Sequence, residues 1–173
     1  MQDWSLREAG AEDADALGLI GAATFLETFA GVLSGPGIVR HCARVHTGDA
    51  YRRLIEGGAR AWIAELDSGR APIGYALLAT PDLAQAGPGD LELKRLYTLS
   101  RFHGSGVGAA LMDVVVTAAR GASRLLLGAY AGNARALAFY TRQGFERIGE
   151  RQFDVGGIQY DDLVLARALP PRL

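Results

Sequence analysis

A glycine-rich segment is the part of the chain best suited to bind a ligand. It reads HGSGVGA over residues 103–109 and lies between a predicted strand and a predicted helix that begins near Val107. Glycine lets a backbone approach a ligand closely, and a helix N-terminus offers unpaired N–H groups with roughly half a positive charge. Three glycines at alternate positions exceed what a tight turn requires. We therefore expect these amides to hold an anion such as a diphosphate, without the help of a lysine.

Two known phosphate-binding motifs fit this segment less well. A P-loop ends in Gly-Lys-Ser/Thr, whereas Gly108 is followed by two alanines. The stretch 104–109 matches the dinucleotide-binding fingerprint, but the next strand lacks the acidic residue expected about 20 residues further on. A Rossmann fold is therefore a weak fit.

The flanking sequence predicts the elements that must position this segment. Apolar and β-branched runs predict strands over residues 4–7, 59–65, 73–79, 91–99, 124–130, 145–154 and 158–166. Helical periodicity predicts helices over residues 17–29, 38–55, 107–118 and 134–143, the second interrupted near residues 47–49. Turn residues at 34–37 separate the first two helices, and Gly156-Gly157 predicts a tight hairpin. The loop at 80–90 could border a substrate site.

Length, composition and charge limit the class of protein. The 173 residues predict a single domain over 1–173, since roughly 100–200 residues make one domain. A net charge of -1 argues against nucleic acid as the main partner. Cys42 is the only cysteine, no signal peptide precedes the first strand, and no apolar run could span a bilayer, so we expect a cytoplasmic protein without a membrane partner. A homodimer is a reasonable expectation, because dimers are the commonest assembly.

Two motifs give the chain a specific resemblance. The run at 91–112, LELKRLYTLSRFHGSGVGAALM, is similar to the acetyl-coenzyme A motif of the GNAT N-acetyltransferase superfamily, in which a bulged strand leads into an Arg/Gln-x-x-Gly-x-Gly/Ala loop and a helix. Residues 133–140, NARALAFY, followed by Gly144 and Phe145, resemble the second hallmark of that family. The two motifs occur in the family's order and spacing. In addition, FLETF at 25–29 with YDD at 160–162 resembles the branch of PaiA-type polyamine acetyltransferases.

The resemblance implies both a fold and a coenzyme site. The fold would be α+β, an α/β three-layer arrangement with a central mixed, mostly antiparallel sheet of about seven strands flanked by helices. Acetyl-CoA would be the cosubstrate, and no metal is implied. The implied coenzyme contacts are the backbone of Leu96, Tyr97 and Thr98 with the pantetheine arm, the loop residues His103, Gly104, Ser105, Gly106, Val107, Gly108 and Ala109 with the pyrophosphate, and Asn133. Whether His103 or Arg101 fills the Arg/Gln position of the motif stays open.

The resemblance also implies catalytic roles for two residues. Tyr140 would protonate the departing thiolate, although a core aromatic is the simpler explanation of a tyrosine outside such a motif. Glu92 would take the proton of the amine, directly or through a water, or be an ordinary carboxylate of a strand end. Some family members carry the acid on the next strand instead, where this chain has Gly128, which cannot serve.

The predicted function is acetyl transfer from acetyl-CoA to a primary amine by direct attack in a ternary complex. The acceptor would be a small molecule, such as a polyamine or an amino-acid-like amine, or a peptide. Glu27, Asp161 and Asp162 could attract a cationic amine, although charges on such faces are usually only solvated. The alternative is a sensor that binds acetyl-CoA without catalysis, since the glycine loop predicts binding alone.

Overall fold

The computed structural model describes residues 3–170, which alternate between sheet and helix in the predicted order. Its strands are β1 (Trp4–Ala9), β2 (Arg60–Leu66), β3 (Pro72–Ala79), β4 (Leu91–Thr98), β5 (Arg124–Tyr130), β6 (Glu146–Val155) and β7 (Ile158–Ala168). Its α-helices are α1 (Ala14–Phe29), α2 (Gly35–Val45), α3 (Gly48–Glu56), α4 (Val107–Ala118) and α5 (Ala134–Arg142). None of these helices, all within residues 3–170, has the length and apolar character needed to cross a membrane.

All seven strands form one mixed sheet in the order β1-β2-β3-β4-β5-β7-β6. Only the central β4–β5 pair is parallel, and every other neighbouring pair is antiparallel. Side chains alternate between the two faces along each strand, so both faces of the sheet carry apolar residues. Helices cover both of these faces. This arrangement confirms the predicted fold class.

The two faces of the sheet carry separate cores. On one face, α4 buries Val107, Leu111 and Val115 against strand residues such as Leu78 and Leu93. These three helix residues recur at intervals of four, so they form one apolar stripe along α4. On the other face, α1 and α3 pack over Ala61, Ile63, Tyr75 and Leu77. The glycine-rich segment enters α4 at the end of β4, so this packing fixes its position.

A β-bulge divides β4 into two halves. Leu93 lies opposite Leu78 and Arg95 lies opposite Leu77, which leaves Lys94 as the extra residue. The bulge changes the alternation of faces, and therefore Leu93 and Leu96 both pack toward α4. Beyond Glu92, β4 has no further pairs with β5, although β5 continues to Tyr130 on the side of β7. The two central strands therefore part and leave a gap in the middle of the sheet.

The predicted turn at 34–37 is wrong, because α2 begins within it. Ser34 caps this helix by accepting a hydrogen bond from the Gly37 amide at 3.3 Å, and Pro36 occupies the first turn, where it needs no N–H partner. Ser34-Gly-Pro-Gly reads as a turn because these residues favour both turns and helix starts. Elsewhere the predicted strands and helices are confirmed with small shifts of their ends, and Thr47 caps α3 at the predicted interruption.

The β6–β7 hairpin closes one side of the gap by packing against α2. Gly156 in the hairpin turn has φ of 61°, and a Cβ placed there would overlap the carbonyl group of Gly37. Arg40 donates a hydrogen bond from Nε to the Gly156 carbonyl at 2.8 Å. The close approach of the two backbones therefore needs glycine in the turn.

Replacing Gly156 with alanine tests this contact. A left-handed alanine costs about 1–2 kcal/mol, and overpacking against Gly37 adds about 1–3 kcal/mol, so we expect a loss of roughly 2–5 kcal/mol in the free energy of unfolding. The matched control is Gly157→Ala, where φ is also positive but no atom lies within 4 Å of the added Cβ. Urea denaturation should show the larger loss for Gly156→Ala, and equal losses would contradict the proposed contact.

Candidate active site

A cavity of about 1090 Å³ occupies the gap between β4 and β5. The glycine-rich segment and α5 line one end of it, and α1, α2 and the β6–β7 hairpin line the other. Lys94–Thr98 of β4 and residues 128–130 of β5 form its floor. One cleft thus joins a polar end with free amides to an end surrounded by aromatic rings.

The glycine-rich segment presents its amides to this cleft. Gly104 and Gly106 have φ of 80° and 92°, and a Cβ on either would meet no atom within 4 Å. Both positions therefore need glycine for the backbone conformation, with open space above it. The first α4 bond runs from the Ala110 amide to the Gly106 carbonyl. Within residues 3–170, no group accepts a hydrogen bond from the amides of Gly104, Gly106, Val107, Gly108 or Ala109.

Ser105 is the exception in this segment. Its amide donates to the Phe102 carbonyl at 3.2 Å, and its hydroxyl donates to the same oxygen at 2.6 Å. The structure therefore brings the amides predicted to bind an anion together in the cleft, except that the Ser105 amide already donates a hydrogen bond within the turn.

His103 faces the cleft, and Arg101 does not. Arg101 lies over the ring of Phe102 at 5.1 Å, whereas His103 bonds the Thr98 carbonyl at 3.2 Å and contacts Arg135 of α5. Burial, followed by the charge of Arg135, lowers the pKa of His103. Arg135 therefore adds a positive charge at this end of the cleft. Sequence reasoning missed Arg135, although it stands two residues after Asn133 in the second motif.

The edge of β4 beside the gap contains the three residues predicted to contact pantetheine. Leu96, Tyr97 and Thr98 pair with β3 on one side and have no strand partner on the side of β5. All three line the cleft. An extended ligand lying in the gap could therefore bond the backbone in the way an added strand does.

Tyr140 and Asn133 lie on the α5 side of the same cleft. Asn133 caps α5 by accepting from the Ala136 amide at 3.1 Å. Tyr140 packs against the rings of Phe139 and Phe145, and its hydroxyl makes no hydrogen bond to another described residue. Burial raises the pKa of Tyr140 well above its ordinary value, so the phenol keeps its proton at neutral pH.

Glu92 lies behind the wall of the cleft, not on its surface. Its side chain is 2% exposed, pairs with Lys94 Nζ at 2.8 Å and accepts a hydrogen bond from the Asp82 amide at 3.1 Å. Arg151 Nη1 lies 3.9 Å from its other oxygen. Any proton transfer from an amine in the cleft to Glu92 would need an intervening group or water.

Asp162 is one of four carboxylates that line the cleft, with Glu27, Asp82 and Asp154. It lies on β7 opposite Arg151, which donates to it from Nε at 3.1 Å. Burial raises the pKa of Asp162, while the charge of Arg151 opposes that effect. The Arg151 guanidinium also lies over Gly128, where an added Cβ would overlap it. Arg151 therefore fills the place where some family members carry an acid.

The other acidic residues considered from the sequence are arranged differently. Glu27 accepts two hydrogen bonds from Ser100, at 2.8 Å from the amide and 2.6 Å from the hydroxyl, and these bonds lower its pKa. It therefore ties α1 to the turn after β4. Asp161 is exposed, contacts Gln152 and does not line the cleft.

Comparison with known proteins identifies the family. Residues 18–145 match the family model described as "Acetyltransferase (GNAT) family". The chain is a member of the GNAT family. It is 33% identical over 159 residues to an uncharacterized N-acetyltransferase of Mycobacterium tuberculosis, a match that covers 91% of this chain and 98% of the relative.

Two solved structures have the same fold as this GNAT protein. One is the PaiA N-acetyltransferase of Thermoplasma acidophilum in complex with coenzyme A, with 19% identity, a TM-score of 0.75, and coverage of 95% of this chain and 98% of that one. The other, from Salmonella typhimurium, is described as an acetyltransferase with its cofactor acetyl-CoA; identity is 19%, TM-score 0.67, and coverage 98% and 96%. Family membership makes the chain an N-acetyltransferase with acetyl-CoA as cosubstrate.

The free amides fit a phosphate-bearing cosubstrate, and a charge placed beside them tests that fit. Ala109 is exposed at the third position of α4. In Ala109→Glu the added carboxylate should repel the coenzyme and raise its Kd about tenfold, roughly 1.4 kcal/mol, relative to the neutral isostere Ala109→Gln. The helix itself should lose no stability, because an acidic side chain suits its first turn. Isothermal titration with coenzyme A gives the Kd values, and equal affinity of the two variants would contradict the anion site.

Proposed function

We propose that this enzyme transfers the acetyl group of acetyl-CoA directly to a primary amine of a small molecule or peptide. The observation that carries the proposal is one continuous cleft that holds the free amides of the glycine-rich segment, the unpaired edge of β4 and the hydroxyl of Tyr140. No covalent acetyl-enzyme is required. The cytoplasmic location, the single domain over 1–173 and the homodimer expected from the sequence stay predictions.

Coenzyme binding would use backbone groups more than side chains. The amides of Gly104, Gly106 and residues 107–109 would bind the pyrophosphate, with His103 and Arg135 beside them and the Ser105 side chain holding the turn. Leu96, Tyr97 and Thr98 would bond the pantetheine arm along the β4 edge. Asn133 fixes the start of α5 and thereby the position of Tyr140. These contacts orient the thioester toward the aromatic end of the cleft.

The chemical step needs one proton accepted and one proton donated. The amine lone pair attacks the thioester carbonyl carbon, the carbon–sulfur bond breaks, and the sulfur leaves with the electron pair of that bond. Tyr140 would donate its proton to this sulfur. Its raised pKa keeps the phenol protonated beforehand. The leaving thiolate, whose thiol has a pKa near 8.5, is the weaker base, so Tyr140 would share its proton with the developing charge on the sulfur and recover it when the sulfur takes up the proton that the amine releases.

A carboxylate would accept the proton of the amine. Glu92 is the base predicted from the sequence, and its buried position requires transfer through a water or another group. Asp162 is a second candidate, favoured because it lines the cleft itself and its pKa is raised toward the working range. We propose that Asp162 meets the amine and that Glu92 supports it from behind, since Arg151 contacts both carboxylates.

Tyr140→Phe removes the proposed proton donor while keeping the ring. General acids contribute roughly 10²–10⁴-fold, and the leaving thiolate is a good leaving group, so we expect turnover to fall about 10- to 100-fold with coenzyme affinity nearly unchanged. Tyr130→Phe is the matched control, because Tyr130 also lines the cleft and packs edge-on against Phe29. Steady-state kinetics with titrated coenzyme affinity measure both quantities. Unchanged turnover in Tyr140→Phe would remove the assignment.

The pH profile identifies the base. A carboxylate base must be ionised, so kcat/KM should rise as the pH increases through its pKa, and burial places that pKa above the ordinary value for Asp162. Asp162→Asn should abolish this acidic limb and lower the plateau roughly 100-fold. Glu92→Gln should keep the limb at a reduced plateau. If Glu92→Gln lost the acidic limb and Asp162→Asn kept it, the base would be Glu92, as predicted from the sequence.

A further inference from the structure

Arg95 is a half-buried cation without a counter-ion, at the aromatic end of the cleft. Its Nη1 atom is shielded from solvent and has no hydrogen-bond partner. Within residues 3–170, no carboxylate lies within ion-pair distance of it. Most other half-buried basic side chains do have a carboxylate oxygen within 3.1 Å, although Arg167 does not; those that do are Arg7, Arg52, Lys94, Arg124 and Arg151.

The groups around Arg95 do not neutralise it. Its guanidinium lies 4.8 Å from the centre of the Tyr51 ring, and the Tyr51 hydroxyl donates to that of Tyr75 at 3.0 Å. His41 and His46 lie on the same side, and burial with the charge of Arg95 lowers their pKa to about 4 and about 3, so both are uncharged at neutral pH. An aromatic face offsets part of the cost of a buried cation, but an unpaired N–H group in such a place is expensive.

The cleft extends past Arg95 into a second cavity of about 310 Å³. Arg44, Val45, Leu54 and Arg95 line both cavities, so the two adjoin. The smaller cavity is completed by Ala50 and Arg53, and no acidic residue of the described chain lines it. Three arginines therefore surround it, of which only Arg44 has an acidic neighbour, Asp154 at 3.6 Å.

Arg95 lines the same cleft as Tyr140 and Asp162, the residues of the proposed chemical step. It precedes Tyr97 by two residues on β4, so the two side chains share a face and their Cα atoms are about 7 Å apart. The Tyr97 ring stacks on that of Tyr75, whose hydroxyl accepts from Tyr51, the residue whose ring lies under Arg95. The cleft therefore contains both a carboxylate, Asp162, and a cation without a counter-ion, Arg95.

On the basis of the proposed function, we infer that the acceptor is a zwitterion, an amine that also carries a carboxylate, and that Arg95 binds this carboxylate with Arg44 and Arg53 nearby. The planar guanidinium matches a carboxylate with two parallel hydrogen bonds. The ammonium group would lie toward Asp162 before it loses its proton. A polyamine fits this end poorly, since its only charges are positive and would meet three arginines.

The test compares acceptors that differ only in the carboxylate. The ω-amino acids H₂N–(CH₂)n–COO⁻, with n from 1 to 5, are each paired with the matching amide, and 1,4-diaminobutane represents the polyamines. Coenzyme release is followed with wild-type enzyme, Arg95→Met and Arg95→Lys. We expect at least one acid to exceed its amide in kcat/KM by about tenfold or more, as a hydrogen bond to a charged partner provides.

In Arg95→Met the preference for the acid should disappear while activity on the amide is kept, and Arg95→Lys should restore part of it. Arg52→Met is the matched control. Arg52 lies on α3 beside Arg53, pairs with Asp49 at 2.9 Å and does not line either cavity, so the acid preference should be unchanged. Titration with coenzyme A establishes that each variant is folded with its coenzyme site intact.

A second readout does not depend on turnover. The same acids should raise the melting temperature of the wild-type coenzyme A complex more than the amides do, and this difference should vanish in Arg95→Met. Amides or the diamine preferred over every acid, or a preference for acids that survives in Arg95→Met, would overturn the inference and leave the acetyltransferase proposal intact. Lack of coenzyme binding in the wild-type protein would instead contradict the proposed function, and the melting shifts of the protein without coenzyme would then decide whether Arg95 binds carboxylates.

Discussion

The parting of β4 from β5 is the constraint on which the rest of the site depends. Two parallel pairs join these strands, and the Lys94 bulge then adds twist, so the strands diverge. Backbone groups in the interior of a sheet are normally paired, since an unpaired buried amide costs as much as a lost hydrogen bond. The gap therefore creates an unsatisfied strand edge inside the protein, next to the free amides at the start of α4. An extended ligand with a phosphate group at one end satisfies both.

Charges of both signs line this gap, and three groups among them bear on the proposed reaction. Free amides and Arg135 make the coenzyme end positive, Asp162 lies in the middle with its cation Arg151, and the unpaired Arg95 lies at the acceptor end. Low-dielectric walls strengthen each of these interactions relative to water. A cosubstrate with phosphates and an acceptor with both charges would therefore each be oriented by opposite charge before any reacting atoms meet.

Local sequence information predicted the elements, and it failed where distant residues meet. The stripe on α4, the cap at Asn133 and the left-handed Gly144 are set within a few residues of chain, so they could be read directly. The role of Arg95 could not. The bulge shifts the alternation of β4 by one residue, and only the register with β3 shows that Arg95 faces Tyr51 rather than α4. Glu92 lies on the predicted strand. Its ion-pair partner Lys94 is the bulged residue, so this contact also depends on the register with β3.

Gly128 explains why the carboxylate proposed for this site, that of Asp162, lies on β7 and not on β5. An acid at that position of β5 would occupy the space that the Arg151 guanidinium fills. Arg151 is held there by Asp162, its direct cross-strand neighbour, so the small residue, the cation and the carboxylate form one dependent set. A side chain introduced at Gly128 would displace Arg151, remove the counter-ion of Asp162 and let burial raise the pKa of that carboxyl further. The position of Asp162, the proposed base, therefore depends on the absence of a side chain at residue 128.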